Sequence, residues 1–192
     1  MSDFWFYFQI GVEHILGAGA WDHQLFILAL AIVFIWKDWR EILVLVTAFT
    51  IGHSLTLVLS VLDIIRFNSS WVEFLIPCTI VITAMYHFFF PSPNKKNFRI
   101  SYAIALAFGL IHGMGFANTI RVMLASDQSI GVGLFAFNIG LEVGQIVVVL
   151  FIIAVTWLML QKLKVNRKYW IMVISGLVAL ISMQMAWSRW PM

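Results

Sequence analysis

Cysteine is almost missing from these 192 residues. Cys78 stands alone, which excludes an intrachain disulfide and any CxxC redox or metal site. Charge is scarce as well. Charged residues make up 11% of the chain and hydrophobic ones 62%, with a mean hydropathy of +0.95; a soluble domain carries roughly 25% and about 45–50%. Too few polar side chains remain to cover a water-facing surface, so lipid is the expected surrounding. Long basic tracts are also missing. The net charge of +3 comes from Lys and Arg scattered in short breaks between apolar runs, where membrane topology accounts for them, so nucleic acid is not an expected partner. No internal repeat, low-complexity tract or His-rich tail is present. The opening MSDFWFYFQIG lacks the basic region and small-residue cleavage site of a signal peptide, and is expected to be retained.

What is present is long apolar runs. Six lie at about 22–37, 40–62, 71–90, 100–124, 131–160 and 168–189, against a need of ~20 residues per crossing. The expected fold is therefore all-α: one polytopic integral-membrane helical bundle over 1–192, with about six transmembrane helices. Lys37, Asp38 and Arg40 separate the first two runs, and Asp63 to Ser70 the next pair. The stretch Pro91-Ser92-Pro93-Asn94-Lys95-Lys96 is the clearest break, since paired prolines cannot continue a helix. Ser126 to Ser129 and Lys162 to Lys168 mark the last two. Ahead of the first run, within residues 1–21, Phe4 to Ala20 is aromatic, Gly-broken and too short to span. It reads as an interfacial or partly re-entrant helix, with Trp5 and Tyr7 suited to the headgroup zone.

Nine of the twelve Lys and Arg residues fall in the first, third and fifth loops; only Arg66, Arg121 and Arg189 fall on the other side. The positive-inside rule then puts the lysine-rich loops in the cytoplasm and both termini outside, in the periplasm of a bacterial inner membrane.

Against this apolar background, ionisable side chains in the runs stand out, because each costs ~2.5–3.5 kcal/mol or more in hydrocarbon. At ~1.5 Å per residue, His53 lies roughly 13 Å and Glu142 roughly 16 Å from the outer ends of their runs, and His112 roughly 18 Å from the inner end of its own. In a ~30 Å core, all three fall between the midplane and the outer half. His14, Asp22 and His23 stand at the outer entrance, so one outward-facing His/Asp/Glu cluster is expected. Imidazoles and carboxylates without thiolate suit divalent Ni, Zn, Co or Fe. Asn138, Glu142 and Gln145 share one helix face, and Thr50, His53 and Thr56 one stripe; Gly109, Gly113, Gly140 and Gly144 permit close helix approach. Thr50, Ser54, Asn138, Gln145 and Glu73 are candidate supporting or pathway residues. Each has a plainer reading. His53 and His112 would serve as packers inside a bundle, Asp22 as a helix N-cap, Glu73 as a first-turn complement to the helix dipole. His87 is expected at the cytoplasmic interface, and Cys78 as a small packer beside a kink at Pro77.

These same residues carry a resemblance. Gly11-Val12-Glu13-His14-Ile15-Leu16 with Asp22-His23-Gln24-Leu25-Phe26; Phe49-Thr50-Ile51-Gly52-His53-Ser54; Val72-Glu73-Phe74-Leu75-Ile76; Phe108-Gly109-Leu110-Ile111-His112-Gly113; and Phe137-Asn138-Ile139-Gly140-Leu141-Glu142 with Val143-Gly144-Gln145 together resemble the HupE/UreJ family of small bacterial membrane proteins. Members linked to hydrogenase or urease maturation are regarded as nickel permeases or nickel-accessory proteins. The resemblance maps the family's histidine–aspartate–histidine motif onto His14, Asp22 and His23, and implies a metalloenzyme maturation system as a partner beside lipid and metal. The gap between His14 and Asp22 is longer than in nickel-linked members. The stretch after His112-Gly113 runs into Phe116-Ala117-Asn118 where they carry a Glu.

The expected function is a metal permease or metal-delivery protein binding a divalent ion, nickel or zinc foremost. Two alternatives stand beside it: an intramembrane metal-dependent hydrolase or acyl transferase acting on lipid or lipoprotein, and a non-catalytic membrane subunit whose polar residues only join helices.

Overall fold

The computed structural model describes residues 3–91, 95–124 and 130–191. The expected breaks at Pro93-Asn94 and Ser126 to Ser129 lie outside them. The described residues form seven α-helices: α1 (Asp3–Leu16), α2 (Trp21–Ala31), α3 (Trp39–Val61), α4 (Ser69–Phe89), α5 (Lys95–Leu124), α6 (Ile130–Trp157) and α7 (Arg167–Ser188). A 3-10 turn at Trp36–Asp38 leads into α3, and a π-turn at Leu158–Lys162 ends α6. Local chemistry sets several of these ends. Asn68 caps α4 by accepting from the Ser70 backbone N–H at 3.0 Å, and Asn166 caps α7 from Lys168 at 3.0 Å. Beyond α3 the chain reverses through Asp63 at a positive φ of 58°, a conformation short polar side chains tolerate.

Five helices, α3 to α7, are long and apolar enough to cross a membrane. The run expected to span first, 22–37, does not form such a helix. It gives the 11-residue α2, about 16 Å long at the helical rise, roughly half a ~30 Å core. Its residues from Leu25 to Phe34 are buried almost without interruption, so α2 is apolar on all sides because protein surrounds it. It lies against α4, α6 and α7.

The N-terminal segment is helical as expected, and one face of it packs on the bundle while Phe4, Trp5 and Phe6 stay exposed. α1 lies along α6, with Tyr7, Gly11 and Ile15 buried. Phe8 meets Gly140 and Ile15 meets Gly144. Farther along α6, Phe26 and Leu30 of α2 share a small void with Gln145 and Val149. α1 and α2 therefore follow each other along α6 in the same direction, separated by the break at residues 17–20. A broken helix of this kind frees backbone and side chains at depth, which a membrane protein tolerates only where protein or a cavity receives them.

The other pairings are α3 on α5 and α4 on α7. α3 and α5 touch backbone to backbone: a Cβ on Gly109 would overlap the Phe49 carbonyl oxygen, and one on Gly52 the Leu106 carbonyl oxygen. α7 runs opposite to α4, with Trp190 on Phe74 at 5.0 Å between ring centroids and Gly176 near Phe88. Both ends of the central α2 segment are tied to α7. Arg189 reaches Asp22, and Arg167 donates to the Val33 carbonyl at 2.7 Å.

Candidate functional site

Four imidazoles from four helices meet in the middle of the bundle. His14 comes from α1, His23 from α2, His53 from α3 and His112 from α5. Ring centroids are 4.5 Å apart for His14 and His23, 5.2 Å for His23 and His112, 5.8 Å for His14 and His53, and 5.9 Å for His23 and His53. Their exposure is 7% for His23, 1% for His112 and 0% for His53. The α3–α5 seam sets two of them, since the glycines that let the backbones touch flank His53 and His112. The break between α1 and α2 sets the other two, turning His23 back onto His14. Gln24 fixes that break by donating to the Ile15 and Gly17 carbonyls at 3.0 and 3.3 Å.

Phenylalanines enclose the rings. Phe26, Phe49, Phe116 and Phe137 each lie within 4.2 to 6.3 Å of one or more imidazoles, centroid to centroid. The wall leaves the nitrogens little to bond. His14 Nε2, His23 Nε2, both nitrogens of His53 and His112 Nδ1 are buried with no hydrogen-bond partner, a costly arrangement for a polar atom. The remaining His112 nitrogen is defined. Thr79 donates its hydroxyl proton to the Ile76 carbonyl at 2.6 Å and lies 3.1 Å from His112 Nε2. A hydroxyl has one proton to give; with that proton on the Ile76 carbonyl, Thr79 accepts at the ring and the His112 proton is on Nε2. The lone pair is left on Nδ1.

A cavity of about 410 Å³ leads to this cluster. His14, His23 and His112 line it together with Gly17, Gly19 and Ala20 of the α1–α2 break, and Glu13, Asp22, Glu73 and Arg189. It lies where α4 begins and α7 ends, opposite the ends bearing Lys37, Lys162 and Lys168. On the other side of the cluster the packing is apolar except for Gln145: with it, Phe26, Leu30, Phe34, Leu45, Phe49 and Val149 line a void of about 10 Å³.

Not every expected residue joins the cluster. Glu142 accepts from Thr47 at 2.7 Å, Gln145 from Thr50 at 2.8 Å, and Asn138 from Ser54 at 2.5 Å. The shared face of α6 is real, but it is turned onto α3, where hydroxyls satisfy it, and none of these six lines the cavity. The Thr50 carbonyl, 2.6 Å from the Ser54 hydroxyl, competes with Asn138 for its single proton. Asp22 lines the cavity beside His23, yet Arg189 Nη1 holds both its oxygens, at 3.1 and 3.0 Å. Glu73 is exposed at the cavity mouth. His87, in the last turn of α4, is buried.

The rings pack edge to face, as neutral aromatic groups do, rather than pointing their lone pairs at one spot. Among the described residues, no three His, Cys, Asp or Glu side chains stand in metal-ligating positions as placed. The donor set nonetheless fits a transition metal in kind, because neutral imidazole nitrogens without partners are ligand groups.

The HupE / UreJ protein family matches residues 1–189, nearly the whole chain. The chain belongs to the HupE/UreJ family. No curated protein and no solved structure matches it. In this HupE/UreJ chain His14 and His23 enter the ring cluster, while Asp22 faces Arg189. Sequence reasoning missed three participants. Thr79 carried no signal beyond lying two residues after Pro77. Arg189 had one, as a basic residue on the lysine-poor side. The phenylalanine wall had one too, because Phe49 precedes His53 and Phe116 follows His112 by one helical step of four.

Proposed function

We propose that this protein binds a divalent transition ion among His14, His23, His53 and His112 and moves it across, or delivers it from, the outer face of a bacterial inner membrane. The observation that carries the reading is the convergence of four separate segments on one buried pocket in which five ring nitrogens have no partner. Unpaired buried polar atoms cost ~1–3 kcal/mol each; helix-joining histidines would use their nitrogens on neighbours instead. A metal drawing the rings inward by side-chain rotation would take one of these nitrogens from each of the four rings, with M–N distances of about 2.0–2.1 Å. Four imidazoles without thiolate favour nickel, cobalt, zinc or ferrous iron, and nickel agrees with the metalloenzyme-maturation role suggested by the family. The cavity opens away from the lysine-rich end, and so, by the positive-inside rule, toward the periplasm. The apolar packing beyond the cluster means that onward passage requires the α1–α2 element to shift, as discontinuous helices do in carriers.

The test is direct. Detergent-purified protein, stripped with chelator, is titrated with Ni²⁺, Co²⁺ and Zn²⁺. One ion per chain is expected, and no saturable binding of any of the three would end the reading. A second outcome follows from Thr79. Thr79→Val removes the group that holds the proton on His112 Nε2, so the ring loses its fixed tautomer. Metal affinity is expected to fall about 10–100-fold, the usual effect of losing a ligand's hydrogen-bonded support. Thr79→Ser, which keeps the hydroxyl, is expected to retain it.

A further inference from the structure

We infer that Arg189 competes with the incoming cation for Asp22, and that this exchange sets how tightly the site holds its ion and how readily it lets go. The inference rests on the metal reading above and concerns a residue outside it. Asp22 directly precedes His23 in the first turn of α2; the other carboxylate next to an imidazole in sequence, Glu13 beside His14, is exposed, and Asp22 is the more buried of the two. Its side chain is 19% exposed and that of Arg189 31%, and both line the cavity leading to the rings. One guanidinium nitrogen bonds both carboxylate oxygens. The four imidazoles carry no formal charge when neutral, and the ion pair adds none, so the pocket presents no net attraction to a cation from its inner groups. Glu13 and Glu73 are exposed, where water screens them.

The arm that delivers the guanidinium is fixed. α7 ends at Ser188, and the Arg189 backbone N–H bonds the Met185 and Ala186 carbonyls at 3.1 and 3.3 Å. Trp190 packs on Phe74 of α4. Arg189 is therefore held over the mouth by the α4–α7 pair, while Asp22 belongs to the short central helix. A divalent ion entering between them repels the guanidinium and attracts the carboxylate. Asp22 passes from Arg189 to the ion, adding one negative ligand to the imidazoles, and the α2 start is released from α7. When the ion leaves, Arg189 takes Asp22 back, which lowers the barrier to departure. Arg189 is a positioning residue in this scheme; it does not touch the ion.

Removing the competitor therefore gives a result that loss of a merely structural ion pair would not. Ni²⁺ binding to the purified chain and Ni²⁺ uptake into proteoliposomes are measured for wild type, Arg189→Gln and Arg189→Lys. Arg189→Gln is expected to bind Ni²⁺ about tenfold more tightly, in the range of effects for groups behind a metal ligand, with a lower KM and a lower maximal uptake rate. Arg189→Lys keeps the positive charge and is expected to behave as wild type. In Asp22→Asn the Arg189→Gln change is expected to have no further effect. Unchanged or weaker binding by Arg189→Gln overturns the inference while leaving the metal reading standing; absence of Ni²⁺ binding by wild type overturns both. Should Arg189→Gln fail to fold, infrared difference spectra of wild type with and without Ni²⁺ decide instead. A carboxylate band that shifts with Ni²⁺ and is missing in Asp22→Asn supports the exchange, and identical spectra for the two chains overturn it.

Discussion

Gly109→Val is expected to leave little folded protein. Gly109 of α5 faces the α3 backbone, and a Cβ there would overlap the Phe49 carbonyl oxygen and come within 3.1 Å of the His53 nitrogen. The obstacles are main-chain atoms, which cannot rotate aside as a side chain would. Gly52 and Gly113 make equivalent approaches from either side of the seam, to the Leu106 and His53 carbonyl oxygens, so α3 and α5 can part only along their whole contact. Overpacking costs ~1–3 kcal/mol even where neighbours yield. Here at least about 3 kcal/mol is expected, a large share of a total stability of ~5–15 kcal/mol. The lost contact also includes the Thr56 hydroxyl bonded to the Leu110 carbonyl at 2.8 Å. Gly131→Ala provides the contrast. Nothing lies within 4 Å of a Cβ at that position, so it is expected to be neutral or to stabilise α6 by up to ~1 kcal/mol. Thermal unfolding in detergent separates the two, and a Gly109→Val protein melting with wild type would show that the seam is not as close as described.

That seam explains which parts of the fold were legible in the sequence. α3, α4 and α7 begin and end within two residues of the runs read from hydropathy, because polar breaks and caps such as Asn68 and Asn166 leave strong local marks. The run at 22–37 misled, since hydropathy records that a segment avoids water and cannot tell lipid from protein as its surroundings. α2 avoids water at the centre of the bundle. In the N-terminal segment, glycines play two parts that the sequence does not separate. Gly17 and Gly19 do mark a break, but Gly11 is a point of contact with Phe137 and Leu141, and a contact glycine and a breaking glycine look alike in sequence.

The site was legible to a similar degree. Depth arithmetic placed His53 and His112 at one level, and the structure brings both to His14 and His23. The same arithmetic gave the right level for Glu142 and the wrong neighbours. Helical periodicity says which residues share a face, but not which helix receives that face. Asn138, Glu142 and Gln145 face Ser54, Thr47 and Thr50 on α3, a match of hydroxyls with carbonyl and carboxylate oxygens rather than a ligand set. The Asp22–Arg189 pair joins residues 167 positions apart, a distance over which spacing carries no information.

The distinction between cluster and seam leads to the second large effect. His23 is the hub of the four rings, with His14, His53 and His112 all within 5.9 Å of its centroid. His23→Ala is expected to reduce Ni²⁺ affinity by more than about 100-fold, beyond the ~10–100-fold seen when only a ligand's support is lost. Its effect on stability is expected to be small, for two terms oppose. Deleting a buried ring leaves a cavity and forfeits packing, but it also removes a buried nitrogen with no partner, which itself cost ~1–3 kcal/mol. The pattern is thus the reverse of that at a seam glycine: binding is lost while the fold remains. Glu142→Gln is the control. Its side-chain oxygen can still accept from Thr47, so the α3–α6 seam survives, and Ni²⁺ affinity is expected to match wild type. Titration and melting curves on the same preparations decide the matter. If Glu142→Gln abolished binding while His23→Ala kept it, the ion would sit in the hydroxyl-lined seam, and the unpaired imidazoles would be packing groups after all.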